Sequence, residues 1–180
     1  MDDRQNGEPA KSRKRMTVFY GKDAGPVEPE RMPREGIDDV VRAGQAKVRE
    51  AAAAVDSGKT LLVFSEPGED GFSLLYAWYK SDYLLPRHSH NSDCLYYVTG
   101  GELRIGSHVL RKGDGMFIPK DHAYSYQAGP DGLEVLEFRN ATRFNLFFKG
   151  NDEAYWDRIA ATFRDRAEAW KTETVPPSDR

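Results

Sequence analysis

The chain has 180 residues and a mass of 20.4 kDa, the size of one domain with room for an added helical layer. Hydrophobic residues make up 39% and aromatic residues 12%, so the mean hydropathy of -0.71 points to an apolar core between very polar flanks. A single cysteine excludes a disulfide framework within one chain and a Cys₄ zinc site, and a net charge of -3 excludes the strong basic surface that sequence-independent nucleic-acid binding needs.

Residues 1–35 are polar and rich in charge, and Pro9, Pro26, Pro29 and Pro33 interrupt any helix. They are expected to form an extended arm, disordered at its start. Lys11, Arg13, Lys14 and Arg15 form a small basic cluster, but Asp2, Asp3 and Glu8 flank it, so it reads as a solvated tail. No secretory signal is visible in MDDRQNGEPAKSRKR, and no apolar run approaches the ~18–20 residues of a membrane span. The expectation is a soluble, cytoplasmic protein with no membrane partner. Met16–Tyr20, MTVFY, is apolar enough for a short strand that would need a sheet edge.

Residues 36–58 are expected to hold a helix. Asp38 and Asp39 suit its N-terminus, Val40, Val41, Ala43, Val48, Ala51, Ala52 and Val55 make an apolar stripe, and Gly58 stops it. The Ala-rich stretch predicts thin packing against a sheet. Residues 59–149 switch to short β-type runs: TLLVFSE, FSLLYAWYK, CLYYVTG, ELRIGSHVL, GMFIPK, AYSYQAG, LEVLEFR and RFNLFF. Pro67-Gly68, Gly100-Gly101, Gly113-Asp114-Gly115 and Gly129-Pro130-Asp131-Gly132 punctuate them as turn signals. Many short strands in series predict a sandwich or barrel. Residues 150–180 close the chain with a helix and a frayed tail. Asn151 or Asp152 suits its N-cap, and Tyr155, Ile159, Phe163 and Trp170 mark its core face. MTVFY and RFNLFF, apolar strands near the ends of the barrel order, predict strand exchange in a homodimer.

The informative stretch is Pro86–Phe138. His88 and His90 are two apart, so on a strand both imidazoles project to one face and converge on one point. An NSD loop, the aromatic strand CLYYV and a Gly-Gly pair follow. Gly113-Asp114 and Phe117-Ile118-Pro119 come next.

This order over residues 60–148 resembles the cupin superfamily. The first cupin motif appears as His88, His90 and then YYVTGGEL at Tyr96–Leu103. The second appears as Gly113-Asp114 and Phe117-Ile118-Pro119. The resemblance implies an all-β core with flanking helices, built as an antiparallel jelly-roll barrel. It also implies a pocket in the barrel mouth and a first-row divalent metal there. This chain departs from the pattern at three positions. Cys94 stands where the ligating Glu is usual, Tyr124 where the second-motif His is usual, and Asp121 where a glycine is usual.

Three readings of the site follow. In the first, His88 and His90 hold one Fe, Zn, Ni or Mn per chain, with His122 as a displaced third ligand and Tyr124 beside the metal. In the second, Cys94 ligates as a thiolate. In the third, no metal binds, and the histidines act as acid, base or hydrogen-bond partners of a ligand. Cys94 otherwise packs as a small hydrophobe. Glu137 shares a strand face with Val135; turned inward it would be a buried acid in need of a cation or metal partner, and a candidate base. His108 reads as an exposed strand residue. Tyr76, Trp78, Tyr96, Phe117 and Tyr126 are expected to line a pocket for a small organic molecule, aromatic or carboxylate-bearing, with Arg87 and Lys80 near the mouth as carboxylate partners. Two functions stay open: a metal-dependent oxygenase, lyase or isomerase, and a non-catalytic small-molecule-binding cupin with a decayed metal site.

Overall fold

The computed structural model describes residues 15–53, 55–68, 71–150 and 152–180. The start of the N-terminal arm, with Lys11, Arg13 and Lys14, lies outside the described residues. In chain order the strands and helices are β1 (Gly25–Pro26), β2 (Arg34–Glu35), α1 (Asp39–Ala52), β3 (Gly58–Ser65) and β4 (Ser73–Tyr79). Then follow β5 (His88–Ser89), β6 (Cys94–Ile105), β7 (His108–Arg111), β8 (Gly115–Ile118), β9 (Gln127–Arg139), β10 (Leu146–Phe148) and α2 (Glu153–Thr172).

Seven strands form one antiparallel sheet in the order β1-β3-β4-β9-β6-β7, with β8 also paired to β6. A second sheet has the order β2-β10-β5; β10 runs parallel to β2 and antiparallel to β5. Two-residue alternation decides what lies inside. On β6, Cys94, Tyr96 and Val98 are buried while Leu95 and Tyr97 are exposed. On β9, Leu133, Val135, Glu137 and Arg139 share the inner face. The inward residues meet in a cluster of Ala77, Cys94, Tyr96, Val98, Leu103, Leu133 and Val135, together with Tyr124 and Tyr126.

The helices form a second layer. Asp38 caps α1 by accepting from the Val41 N–H, and Asp152 caps α2 by accepting from the Tyr155 N–H. The helical layer corrects the expected sheet contact of α1, which packs on α2 instead. Gly44 is the point of closest approach: a Cβ built there would lie 2.1 Å from Trp156 Cγ. Val41, Phe148, Trp156, Ile159, Phe163 and Trp170 make the core between helices and barrel.

Three further expectations change. Gly100-Gly101 and Gly129-Pro130-Asp131-Gly132 are not turns between strands. They are irregularities inside the long strands β6 and β9, whose pairing jumps from Gly101↔Leu133 to Leu103↔Ala128. Gly101 has φ 69, and a Cβ there would sit 2.1 Å from the Gly132 carbonyl oxygen. MTVFY is not a strand; it lies exposed in irregular backbone, with Phe19 against the Phe64 ring at 5.1 Å. Within RFNLFF, Leu146–Phe148 is a central strand with neighbours on both sides, so it offers no edge for exchange. Among the described residues, no helix is long and apolar enough to cross a membrane.

The outer face of the large sheet carries an apolar row. Phe117 and Phe138 flank Leu95 in register, and Leu74 and Phe64 continue the row across β4 and β3. Phe117 is 62% and Leu95 49% exposed. Exposed apolar bands of this size are typical of contact surfaces; with no free strand edge for exchange, a homodimer would use this face. Light scattering should give about two chain masses at micromolar concentration, and Leu95→Glu with Phe117→Glu should give one. A wild-type protein of one chain mass rules the dimer out.

A second expectation concerns Gly44. Helix propensity alone favours alanine there by about 1 kcal/mol, but the clash with Trp156 is with a buried ring. Overpacking of this kind costs about 1–3 kcal/mol, so Gly44→Ala should lower the urea midpoint. An unchanged or higher midpoint would show that the helices are not locked at this crossing.

Candidate functional site

The barrel interior holds a small chamber of about 60 Å³, room for roughly four water-sized groups. Its polar lining is Thr60, His88, His90, Tyr96, Tyr126, Glu137 and Arg139, with Tyr79 beside them. Met32, Leu75, Leu85 and Leu146 supply the apolar part. An outer groove of about 450 Å³ runs between the helical layer and the barrel. The two share Met32, Thr60, Tyr79, Leu85, His88 and Leu146, which make the throat between them.

Each polar group is placed by a short piece of backbone logic. β5 is only His88–Ser89, and His88 and Tyr124 exchange both backbone hydrogen bonds, at 3.0 and 2.9 Å. That bridge sets the Tyr124 ring against His88. The His88 Nδ1–H donates to the Pro86 carbonyl at 2.7 Å, and the His90 Nδ1–H donates to the Asn145 carbonyl. A carbonyl only accepts, so both imidazoles carry their proton on Nδ1 and present a bare Nε2. The Tyr124 hydroxyl donates to His88 Nε2 at 3.2 Å and accepts from the Tyr96 hydroxyl at 2.7 Å. His90 Nε2 makes no hydrogen bond among the described residues.

The opposite wall is charged. Glu137 and Arg139 both point inward from β9, and Arg139 Nη2 donates to Glu137 Oε2 at 2.8 Å. Arg139 is 2% and Glu137 4% exposed. The guanidinium also stacks on Phe144 at 4.3 Å. Its Nε and Nη1 have no hydrogen-bond partner among the described residues, and neither has the Tyr126 hydroxyl.

Burial dominates the proton affinities. It holds His88 down to about 4, against a backbone hydrogen bond that works the other way. It holds His90 down to about 2, with the charge of Arg139 and then His88 adding to the effect. It pushes the Cys94 thiol up to about 12. The Tyr124 phenol is also pushed up, again by burial. At neutral pH the histidines are uncharged and the phenol and thiol keep their protons.

The structure brings together His88, His90, Tyr124, Glu137, Tyr96 and Tyr126 from the residues singled out by sequence. Cys94 is on the inner face, 2% exposed, packed in the core. His122 is not brought to the pair. Asp121 takes φ 64, the left-handed backbone of the usual glycine, and donates its N–H to the His90 carbonyl at 2.7 Å. The chain then turns so that His122 is exposed and Tyr124 enters the barrel. Tyr76 and Trp78 are on the outer face of β4. The Tyr76 hydroxyl donates to Glu134 at 2.5 Å there, and Tyr79 holds the inward place instead. Phe117 points outward, 62% exposed, because Met116 and Ile118 face inward. Lys80 is buried, with its ammonium donating to the Trp170 carbonyl at 2.7 Å, so it is no mouth cation. Arg139 was not singled out by sequence, although its signal was available: it lies two residues beyond Glu137, on the same strand face.

No family model matches the sequence, and neither does any curated protein. Solved structures do match. The polyketide cyclase RemF from Streptomyces resistomycificus aligns with a TM-score of 0.55 at 14% identity, covering 85% of this chain and 99% of that one. KdgF from Halomonas sp. aligns at 0.48 and 15% identity, over 72% and 96% of the two chains. An RmlC-like cupin from Ralstonia eutropha JMP134 aligns at 0.45 and 15% identity, over 63% and 76%. The fold of this chain is the cupin jelly roll, with two helices packed beside it.

The donor set does not fit a metal ion well. Among the described residues no group of three or more His, Cys, Asp or Glu side chains is placed to hold one. Two bare Nε2 atoms have the ligand tautomer, but Tyr124 already donates to one of them. The remaining motif positions hold a thiol and a phenol whose protons burial retains. The guanidinium charge of Arg139 acts on His88, His90, Cys94 and Tyr124 against a second cation, and Glu137 offsets part of it at Cys94 and Tyr124.

The depressed histidines fix a sign for stability against pH. Unfolded imidazole titrates near ~6.5, while folded His88 does so at about 4. Between these values the unfolded chain binds more protons, so stability falls as pH drops from about 6.5 toward 4. Urea midpoints should decline over that window, and the NMR signals of His88 and His90 should stay at neutral-imidazole positions from pH 8 to 5.5. A His88 signal titrating near pH 6.5 would overturn the buried, neutral assignment.

Proposed function

We propose that this chain is a small-molecule-binding cupin whose chamber recognises an organic ligand by hydrogen bonds in place of metal coordination. The observation that supports it most directly is Arg139, a buried cation on the same inner face as the histidine pair. The chamber presents a bare acceptor at His90 Nε2 and unmet donors at Arg139 and Tyr126, so it suits a ligand bearing both kinds of group. The throat of Tyr79, Leu85, Met32 and Leu146 suits an apolar or aromatic body extending into the outer groove.

The Tyr96–Tyr124–His88 hydrogen-bond chain favours a second reading, acid–base catalysis on the bound molecule. In that reading Tyr124 is the middle member of the chain and passes hydrogen bonding from Tyr96 to His88, which faces the chamber, and Glu137 is the carboxylate base. Against it stands the low basicity of both imidazoles, far from the range near neutrality where proton transfer is efficient.

Metal analysis of protein purified without a polyhistidine tag, paired with native mass spectrometry, separates the readings. The binding reading expects substoichiometric Fe, Zn, Ni and Mn, and a co-purifying or added small molecule whose retention a chelator does not change. Near-stoichiometric metal that is lost in both His88→Ala and His90→Ala would overturn it and restore a metal centre. Chemical conversion of the retained molecule, abolished in Tyr124→Phe while retention persists, would establish the catalytic reading.

A further inference from the structure

We infer that the group held in the chamber is a carboxylate, taken by Arg139 and Tyr126. This rests on the reading of the chamber as a ligand site and names the class of ligand.

A buried guanidinium has five N–H donors and no way to lose its charge. Glu137 takes a bond from only one of its nitrogens, Nη2. Phe144 covers a ring-stacking face but accepts no hydrogen bond in the plane. Nε and Nη1 are left without acceptors inside the barrel. Leaving such donors unmet costs a large part of their hydration, so native interiors supply an acceptor. The Tyr126 hydroxyl is a third unmet group on the same chamber. Two residues with unmet donors border one cavity that has room for a carboxylate and the carbon next to it. Charge-assisted bonds from guanidinium to carboxylate are the strongest way to meet that need.

Charge along the approach points the same way. Arg34, Arg49 and Lys59 line the outer groove, and among the described residues no acidic side chain lines it. In the chamber Arg139 and Glu137 cancel, and the histidines are neutral. The whole route is therefore net positive, which draws in anions and offsets the charge a carboxylate brings past Glu137. Glu137 acts as a positioning residue: its bond to Nη2 fixes the guanidinium plane and leaves the other nitrogens for the ligand. This places the carboxylate contact inside the barrel, away from Lys80, which is committed to the Trp170 carbonyl.

The test uses the full chain and two matched probe pairs: phenylacetate with phenylacetamide, and benzoate with benzamide. Binding is followed by calorimetry and by the side-chain Nε–H NMR signal of Arg139, assigned by its loss in Arg139→Lys. At least one carboxylate should bind roughly ten- to a hundredfold tighter than its amide, the value of one charge-assisted contact, and should shift the Arg139 signal. Because Arg139→Gln strands Glu137 and can misfold, the control is the neutral double variant Glu137→Gln/Arg139→Gln. It should fold, as judged by its thermal transition, and lose the preference for carboxylate over amide. Amides that shift chamber signals as strongly as carboxylates would overturn the carboxylate class and leave the binding reading standing. If no probe of either pair moves a chamber signal, the carboxylate assignment and the binding reading fail together. Equal carboxylate affinity in the double variant and the wild type would place the carboxylate outside the chamber and sink the assignment.

Discussion

A positive charge that cannot be neutralised, sealed in a β-barrel, constrains everything around it. Arg139 is 2% exposed, and its cost is tolerable only if its surroundings are built to meet it. Glu137 meets part of it from the same strand face. Phe144 meets part by stacking. Burial holds His90 and His88 in their neutral form, and the same charge adds to that effect by repelling a second cation. Their Nδ1 protons are then pinned to backbone carbonyls, and both imidazoles become fixed acceptors. Burial, the backbone carbonyls and this charge together turn a motif suited to coordination into a hydrogen-bonding surface with defined donors and acceptors.

The Cys94 and Tyr124 substitutions belong to the same arrangement. A carboxylate at position 94 would lie directly across the strand pairing from Arg139 and compete with Glu137 for it; the buried thiol packs instead. An imidazole at position 124 would add a third ring beside two that are already close. The phenol fills that place and closes a hydrogen-bond chain to Tyr96. These departures fit one another, since each removes a ligand for a cation where a cation is already present.

Much of this was legible in the sequence where alternation is clean. The phase of CLYYV placed Cys94 and Tyr96 inside, while the phase of LEVLEF put Glu137 on one face with Val135 and left open whether that face is the inner one; only an inward Glu137 demanded a cationic partner. What failed had physical reasons. FSLLYAWYK carries apolar or aromatic residues on both phases, Leu74, Tyr76 and Trp78 on one and Leu75, Ala77 and Tyr79 on the other, so both faces of β4 look alike and the phase cannot be read. The inward ring is Tyr79, while Tyr76 and Trp78 lie on the outside, the former against Glu134. The same holds for GMFIPK, where Met116, Phe117 and Ile118 are all apolar and the phase is equally unreadable; Phe117 is the outward one. His122 misled because parity counted from Tyr124 assumes an extended strand. The strand does not reach His122, which still belongs to the turn made at Asp121: its N–H donates back to the Pro119 carbonyl at 3.2 Å, and regular pairing begins only at Tyr124. The Gly-Pro-Asp-Gly run reads locally as a turn, yet pairing on both sides holds β9 together as one strand.

The arm and the helices complete the site in a way no local motif announces. Residues after Tyr20 return to both sheets: β1 pairs with β3, and β2 lies beside β10. Between them Arg31 donates to Ser65 at 2.9 Å and to the Thr142 carbonyl at 3.1 Å, which fixes the segment across the barrel end. Met32 can then reach both the chamber and the groove, and Arg34 can line the groove. From the other side, the Tyr155 hydroxyl of α2 donates to the Leu85 carbonyl at 2.9 Å and holds the strip of backbone that carries Pro86 and His88. The histidine anchor therefore depends on contacts from both ends of the chain. The throat is set by the way the arm and α2 hold Met32 and Leu85, so the size of the proposed ligand would follow from that packing and its chemistry from the hydrogen bonds within the barrel.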